Sequence, residues 1–201
     1  NYMKKIWPLL FVTCIGVIYV GSKILQADNA LDFTVIWLAG KLWFAGQNPY
    51  GADFLIQYKA IFGDRNMLWV YPPHWFSISI ALGLLSFHAA IIVWKLINVA
   101  LLVAATHLTT SAFTDKRNYW PAFLAGLSYA CFMQSTAATL DIGQTSILVY
   151  FGLASMIFGL MKDRPPFLIL GLIVLSLKPN FGIVAFAATA VGPNTLNWLG
   201  H

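Results

Sequence analysis

The chain has 201 residues, of which 59% are hydrophobic and 9% charged, at a mean hydropathy of +0.73. So little polar surface cannot coat a soluble globule, which excludes an ordinary soluble domain. All seven acidic residues are Asp, and the twelve Lys and Arg that give the net charge of +5 are scattered, so no basic face for nucleic acid is present.

The first apolar run, Ile6 to Ser22, follows Lys4 and Lys5 but lacks a small-residue cleavage site, and more such runs follow. It reads as a membrane anchor that stays. A bilayer core needs about 20 apolar residues per helical crossing, so the intervals between charges act as a ruler. The charge-free stretches are 6–22, 66–94, 96–114, 118–140, 142–161, 165–177 and 179–201. They predict an all-α, polytopic transmembrane helix bundle with spans at about 6–25, 90–110, 119–139, 145–161, 166–178 and 181–192. A further helix at 75–86, separated from the next by Ser86-Phe87-His88, is read as shallow or re-entrant, with a full crossing as the alternative.

Short loops with cations fix the orientation: Lys4/Lys5, Lys116/Arg117 and Lys162/Arg164 are expected on the cytosolic side. The stretch 26–74 is then an external loop, the one sizeable polar segment. Within it, Leu31 to Gly46 is too apolar for a free loop and is expected to form an interfacial, juxtamembrane helix. Trp37, Trp43 and Phe44 would sit at the headgroup boundary, and Gly46-Gln47-Asn48-Pro49-Tyr50 would end that helix. A second short helix is expected at 53–62. The outward-running spans bring Asp141-Ile142-Gly143-Gln144 and Lys178-Pro179-Asn180 to the same face as this loop. Lys95, inside an apolar run, has no evident carboxylate partner.

Cys14 and Cys131 lie in apolar runs outside any metal-binding or redox spacing. No P-loop, dinucleotide fingerprint or His-Glu-x-x-His pattern occurs.

Asp32-Phe33 opening a helix, then Gly46-Gln47-Asn48-Pro49-Tyr50, Tyr71-Pro72-Pro73, Trp94 with Asn98, Gly143-Gln144, and Gly171 through Lys178-Pro179 resemble, in order and spacing, glycosyltransferase family 87. The resemblance covers about residues 28–180. It implies a GT-C-type bundle that takes a hexose, often mannose, from a polyprenyl-phosphate donor to a lipid or glycan acceptor on the outer face of a membrane. For a bacterial protein that is the inner membrane. Family members are longer, so it implies the N-terminal half of such a bundle, truncated and inactive alone.

Displacing a lipid phosphate from an anomeric carbon needs a base for the acceptor hydroxyl and a group that stabilises phosphate charge. Asp32 matches the first-external-loop Asp of GT-C enzymes and is the candidate base; Asp28 is its rival, and a plain helix-start Asp is the bland reading. Lys178, at a helix end before Pro179, is the candidate phosphate cation, against a snorkelling lysine. Lys41, Arg65 and His74 are secondary candidates, set against ordinary solvated groups. Gly143 and Gln144 either bind sugar hydroxyls or cap a helix near Thr145, with Asp141 as a helix-start residue. Asn48, Tyr50 and Tyr71 belong to turns that place the loop and border the substrate region. The aromatic content reads mostly as interfacial belt, with Trp69 and Trp75 as the exceptions that could face a groove. No cofactor is expected, since the lipid-linked sugar is a substrate; a divalent ion shared with the donor phosphate stays open. The rival reading is a transporter or lipid-handling scaffold without catalysis.

Overall fold

The computed structural model describes residues 2–26 and 30–190, and every regular element among them is helical. In chain order these are α1 (Tyr2–Leu25), α2 (Leu31–Phe44), α3 (Ala52–Phe62), a 3₁₀ turn (Pro73–Trp75), α4 (Phe76–Gly83), α5 (Phe87–Phe113), α6 (Tyr119–Phe132), α7 (Gln134–Ile142), α8 (Ser146–Met161), α9 (Pro165–Ser176) and α10 (Pro179–Ala190). Asp28 and the tail from Val191 lie outside the described residues.

Among the described residues, Ile6–Leu25 and Phe87–Phe113 are long and apolar enough to cross a membrane. The 27 residues of α5 extend about 40 Å. Helix α8 and helices α9 and α10 are shorter apolar elements. Helix α4 has eight residues and is only about 12 Å long, too short to cross alone. Apolar side chains such as Phe11, Ile18, Ile173, Ile183 and Val184 are largely exposed, the pattern of a bundle surrounded by hydrocarbon.

Local chemistry sets the helix ends. Ser86 caps α5 by accepting from the Ala89 N–H, and Pro165 and Pro179 open α9 and α10, where a missing N–H costs nothing. Helix α2 ends in a Schellman motif: Gln47 N–H donates to Leu42 and Gly46 N–H to Trp43, with Gly46 at φ +70°.

The structure corrects the sequence reading at two elements. The helix expected over 119–139 is broken, because Met133 is extended (φ −64°, ψ 133°) and separates α6 from α7. The break falls where the apolar run ends and Gln134-Ser135-Thr136 begins, residues whose side chains compete for backbone hydrogen bonds. Helix α2 is packed into protein instead of presenting a single apolar face outward. From Phe33 to Leu42 every residue except Lys41 is buried, so α2 is the centre of a cluster that includes Phe54, Tyr58, Trp69, Trp75, Ile91 and Trp94. A helix apolar all round belongs in a core rather than at an interface. Trp37 donates its indole N–H to the Leu85 carbonyl and Trp43 packs edge-on to Trp69; only Phe44 of that trio is exposed.

Helix α4 packs antiparallel on α2 at a crossing built from glycine. A Cβ on Gly40 would lie 1.8 Å from the Ser79 carbonyl oxygen, and one on Gly83 would lie 2.6 Å from the Gly40 carbonyl carbon. The α8–α9 hairpin is equally close, since a Cβ on Gly159 or Gly171 would meet the backbone of Leu168 or Met156 at 2.4 or 2.5 Å. Small residues let helix backbones approach where lipid supplies no hydrophobic drive.

Candidate active site

Four chain segments meet at the end of the bundle where α1 finishes and α5 starts. The first is the opening turn of α2 with Asp32, and the second is the Tyr71-Pro72-Pro73-His74-Trp75 turn. The third is the α7–α8 connection, Gly143-Gln144-Thr145, and the fourth is the α9–α10 corner, Leu177-Lys178. Two tryptophans hold them. Trp94, on α5, donates its indole N–H to the Gly143 carbonyl at 3.1 Å, and Trp75 donates to the Leu177 carbonyl at 2.8 Å. Their rings lie 6.2 Å apart, and Phe33 stacks on Trp94 at 5.9 Å. Trp75 and Trp69 are thus buried struts rather than an exposed sugar platform.

Gly143 is required by both conformation and space. Its φ of +75° ends α7 in the left-handed region, and a Cβ there would lie 2.5 Å from the Phe33 Cβ. This contact seats the α7–α8 turn on the residue next to Asp32.

Asp32 is half-buried, and its charge is felt by the Tyr71 phenol. Burial pushes the Tyr71 pKa above its ordinary value, the Asp32 carboxylate pushes it further, and the Thr145 hydroxyl opposes the shift. Thr145 Oγ1 is buried beside the Tyr71 phenol, and its interaction with that phenol is what opposes the rise. Gln144 is half-buried and its side-chain oxygen accepts from Ser146 at 3.3 Å.

Lys178 is half-buried, with its ammonium 5.7 Å from the Phe181 ring centre and no ion pair among the described residues. His74 is exposed and lies 3.3 Å from the Ser176 hydroxyl on the same corner. Tyr50 donates to the Tyr71 carbonyl at 2.7 Å, and its own N–H bonds the Asn48 side chain, so Asn48 and Tyr50 buttress the Tyr71 turn. Lys41 is not brought to Asp32. It lies nine residues along α2, about 13 Å away, over the Trp37 ring at 4.6 Å.

Arg65 lines a neighbouring cleft of about 760 Å³ with Lys23, Gln26, Thr34, Tyr58 and Asp141 among its walls. Asp141 is no helix-start residue: it lies near the end of α7 and pairs with Lys23 of α1 at 3.0 Å. Lys95 is the residue that sequence reasoning left without an account. It is 1% exposed, and its ammonium donates to the Lys23 carbonyl at 2.8 Å and to the Gln26 carbonyl. A cation on the last carbonyls of α1 satisfies orphan acceptors and opposes the negative end of the helix dipole. Its helical register with Trp94 and Asn98, both buried, was the available signal. Among the described residues no group of three or more His, Cys, Asp or Glu could hold a metal.

A family model described as glycosyltransferase family 87 matches residues 69–195. That span takes in the Tyr71 turn, the α7–α8 turn and the Lys178 corner. No curated protein and no solved structure matches the chain.

Proposed function

Since the chain belongs to glycosyltransferase family 87, we propose that it transfers a hexose, mannose in the first instance, from a polyprenyl-phosphate donor to a lipid or glycan acceptor. Membership makes the protein a glycosyltransferase, and its apolar helices fit a membrane protein. The finer reading is a multi-pass GT-C enzyme of a bacterial inner membrane, with its N-terminus cytosolic and the Asp32 end of the bundle on the external face.

The observation that carries it is the meeting of Asp32, Tyr71 and Thr145 at the same end as the Lys178 corner, whose ammonium has no ion pair among the described residues. In the proposed reaction the Asp32 carboxylate takes the proton of the acceptor hydroxyl as its oxygen bonds to the anomeric carbon. The bond from that carbon to the donor phosphate oxygen breaks with its electron pair, through an oxocarbenium-like state. Lys178 stabilises the charge left on the departing lipid phosphate. Gln144 is assigned to sugar hydroxyls, and the Tyr71 phenol, kept neutral by its surroundings, serves as a donor rather than as a second anion. The cleft that Arg65 lines is where the acceptor headgroup is expected.

The test is transfer of radiolabelled mannose from polyprenyl-phosphate-mannose by membranes carrying the product of the complete gene, wild type against Asp32→Asn. Transfer by wild type that falls at least a hundredfold in the variant at equal expression supports the assignment. Transfer retained by Asp32→Asn moves the base elsewhere, and no transfer by wild type sinks the donor assignment.

A further inference from the structure

Another cleft lies at the far end of the bundle. It measures about 450 Å³ and is lined by Ser111, Thr114, Lys116, Tyr119, Trp120 and Lys162. Phe87 borders the Arg65 cleft and Ser111 borders this one, 24 residues further along α5, so the two are about 36 Å apart. That is a membrane thickness away from the candidate active site.

The lining is chemically one-sided. Two ammonium groups arrive from different turns, Lys116 between α5 and α6 and Lys162 between α8 and α9, and no carboxylate lines the cleft. Neither lysine has an ion pair among the described residues, although Asp115 and Asp163 are their chain neighbours. Three hydroxyls and the Trp120 indole complete the lining, and the Tyr119 hydroxyl is held 2.5 Å from His107 Nδ1. Exposed apolar side chains flank it: Phe113, Trp120, Leu160 and Met161 are each half or more exposed.

We propose that this cleft binds the phosphodiester headgroup of an anionic membrane lipid, with the acyl chains on the flanking apolar surface. Paired ammonium groups and hydroxyls complement a phosphodiester, and basic pockets between membrane helices hold such headgroups. The flanking apolar surface and the exposed indole of Trp120 select a lipid over a free phosphate, because a soluble anion leaves them uncovered. The lipid holds the α5–α6 and α8–α9 turns together by bridging their cations, independently of the transfer chemistry.

The experiment places the product of the complete gene in phosphatidylcholine nanodiscs with increasing phosphatidylglycerol, and reads the thermal midpoint and the lipid retained in native mass spectrometry. Expected is a midpoint that rises with phosphatidylglycerol, one retained anionic lipid, and at least tenfold weaker retention in Lys116→Gln/Lys162→Gln. The double variant is compared with wild type in pure phosphatidylcholine; if it has lost its thermal transition there, the single substitutions carry the test. Equal midpoints in both lipids, or retention unchanged by the substitutions, overturns the proposal. An equal rise with inorganic phosphate alone overturns the lipid assignment in favour of a free anion.

Discussion

The Trp75 indole donates to the Leu177 carbonyl across 102 positions of sequence, and both groups are buried. This bond fixes the Tyr71 turn against the Lys178 corner. Trp75→Phe keeps most of the ring volume but strands the carbonyl, which costs about 1–3 kcal/mol. The expected result is a lower thermal midpoint in detergent, together with reduced sugar transfer at saturating acceptor. A midpoint equal to wild type would mean that the corner is held by other contacts.

Gly143 and Gly46 form a matched pair for separating conformation from space. Both have positive φ, +75° and +70°, but only Gly143 has a neighbour where a Cβ would go. Gly46→Ala should cost about 1 kcal/mol, the penalty of a left-handed residue alone. Gly143→Ala adds overpacking against Phe33 and should cost about 1–3 kcal/mol more. Chemical or thermal unfolding of the two variants checks the difference, and equal losses would contradict the Phe33 contact.

Lys95 yields a prediction that runs against hydropathy. Lys95→Met makes α5 more apolar, yet it removes the ammonium from the α1 carbonyls of Lys23 and Gln26. Stability should fall by about 1–3 kcal/mol. Lys95→Arg, which keeps the charge, should lose less if the guanidinium reaches the same carbonyls. A more stable Lys95→Met protein in thermal unfolding would overturn this account.

What the sequence disclosed follows from which forces leave a one-dimensional trace. Charge spacing locates α1 and α8 because lipid-exposed helices carry long apolar runs, while α5 runs through the interruption at Lys95; the Gly46 and Pro179 punctuation marks helix ends. The gathering of Asp32, Gly143 and Lys178 at one end follows from the same ruler when successive apolar helices are taken to alternate direction. Burial of α2 does not: an apolar helix carrying Trp37 and Trp43 reads alike at an interface or in a core, and only the Gly40–Gly83 crossing with α4 decides. The Lys95 cap is also invisible, since its acceptors are backbone carbonyls, which every residue type carries. The break at Met133 has no Pro or Gly to announce it.

The Asp32–Tyr71 relationship can be read by titration. Both causes that raise the Tyr71 pKa, burial and the Asp32 charge, disfavour the phenolate, so a folded pKa above the unfolded one stabilises the protein below the unfolded pKa. That contribution disappears as pH rises through the folded pKa. Asp32→Asn removes the charge and leaves the burial, so Tyr71 should titrate at lower pH than in wild type but still above a free tyrosine. The tyrosinate ultraviolet band, taken as the difference between each protein and its Tyr71→Phe counterpart, isolates this one residue. An unchanged Tyr71 titration in Asp32→Asn would place the carboxylate away from the phenol and with it dissolve the proposed site; a shift to lower pH puts the base and its neighbour within electrostatic reach, as transfer at the anomeric carbon requires.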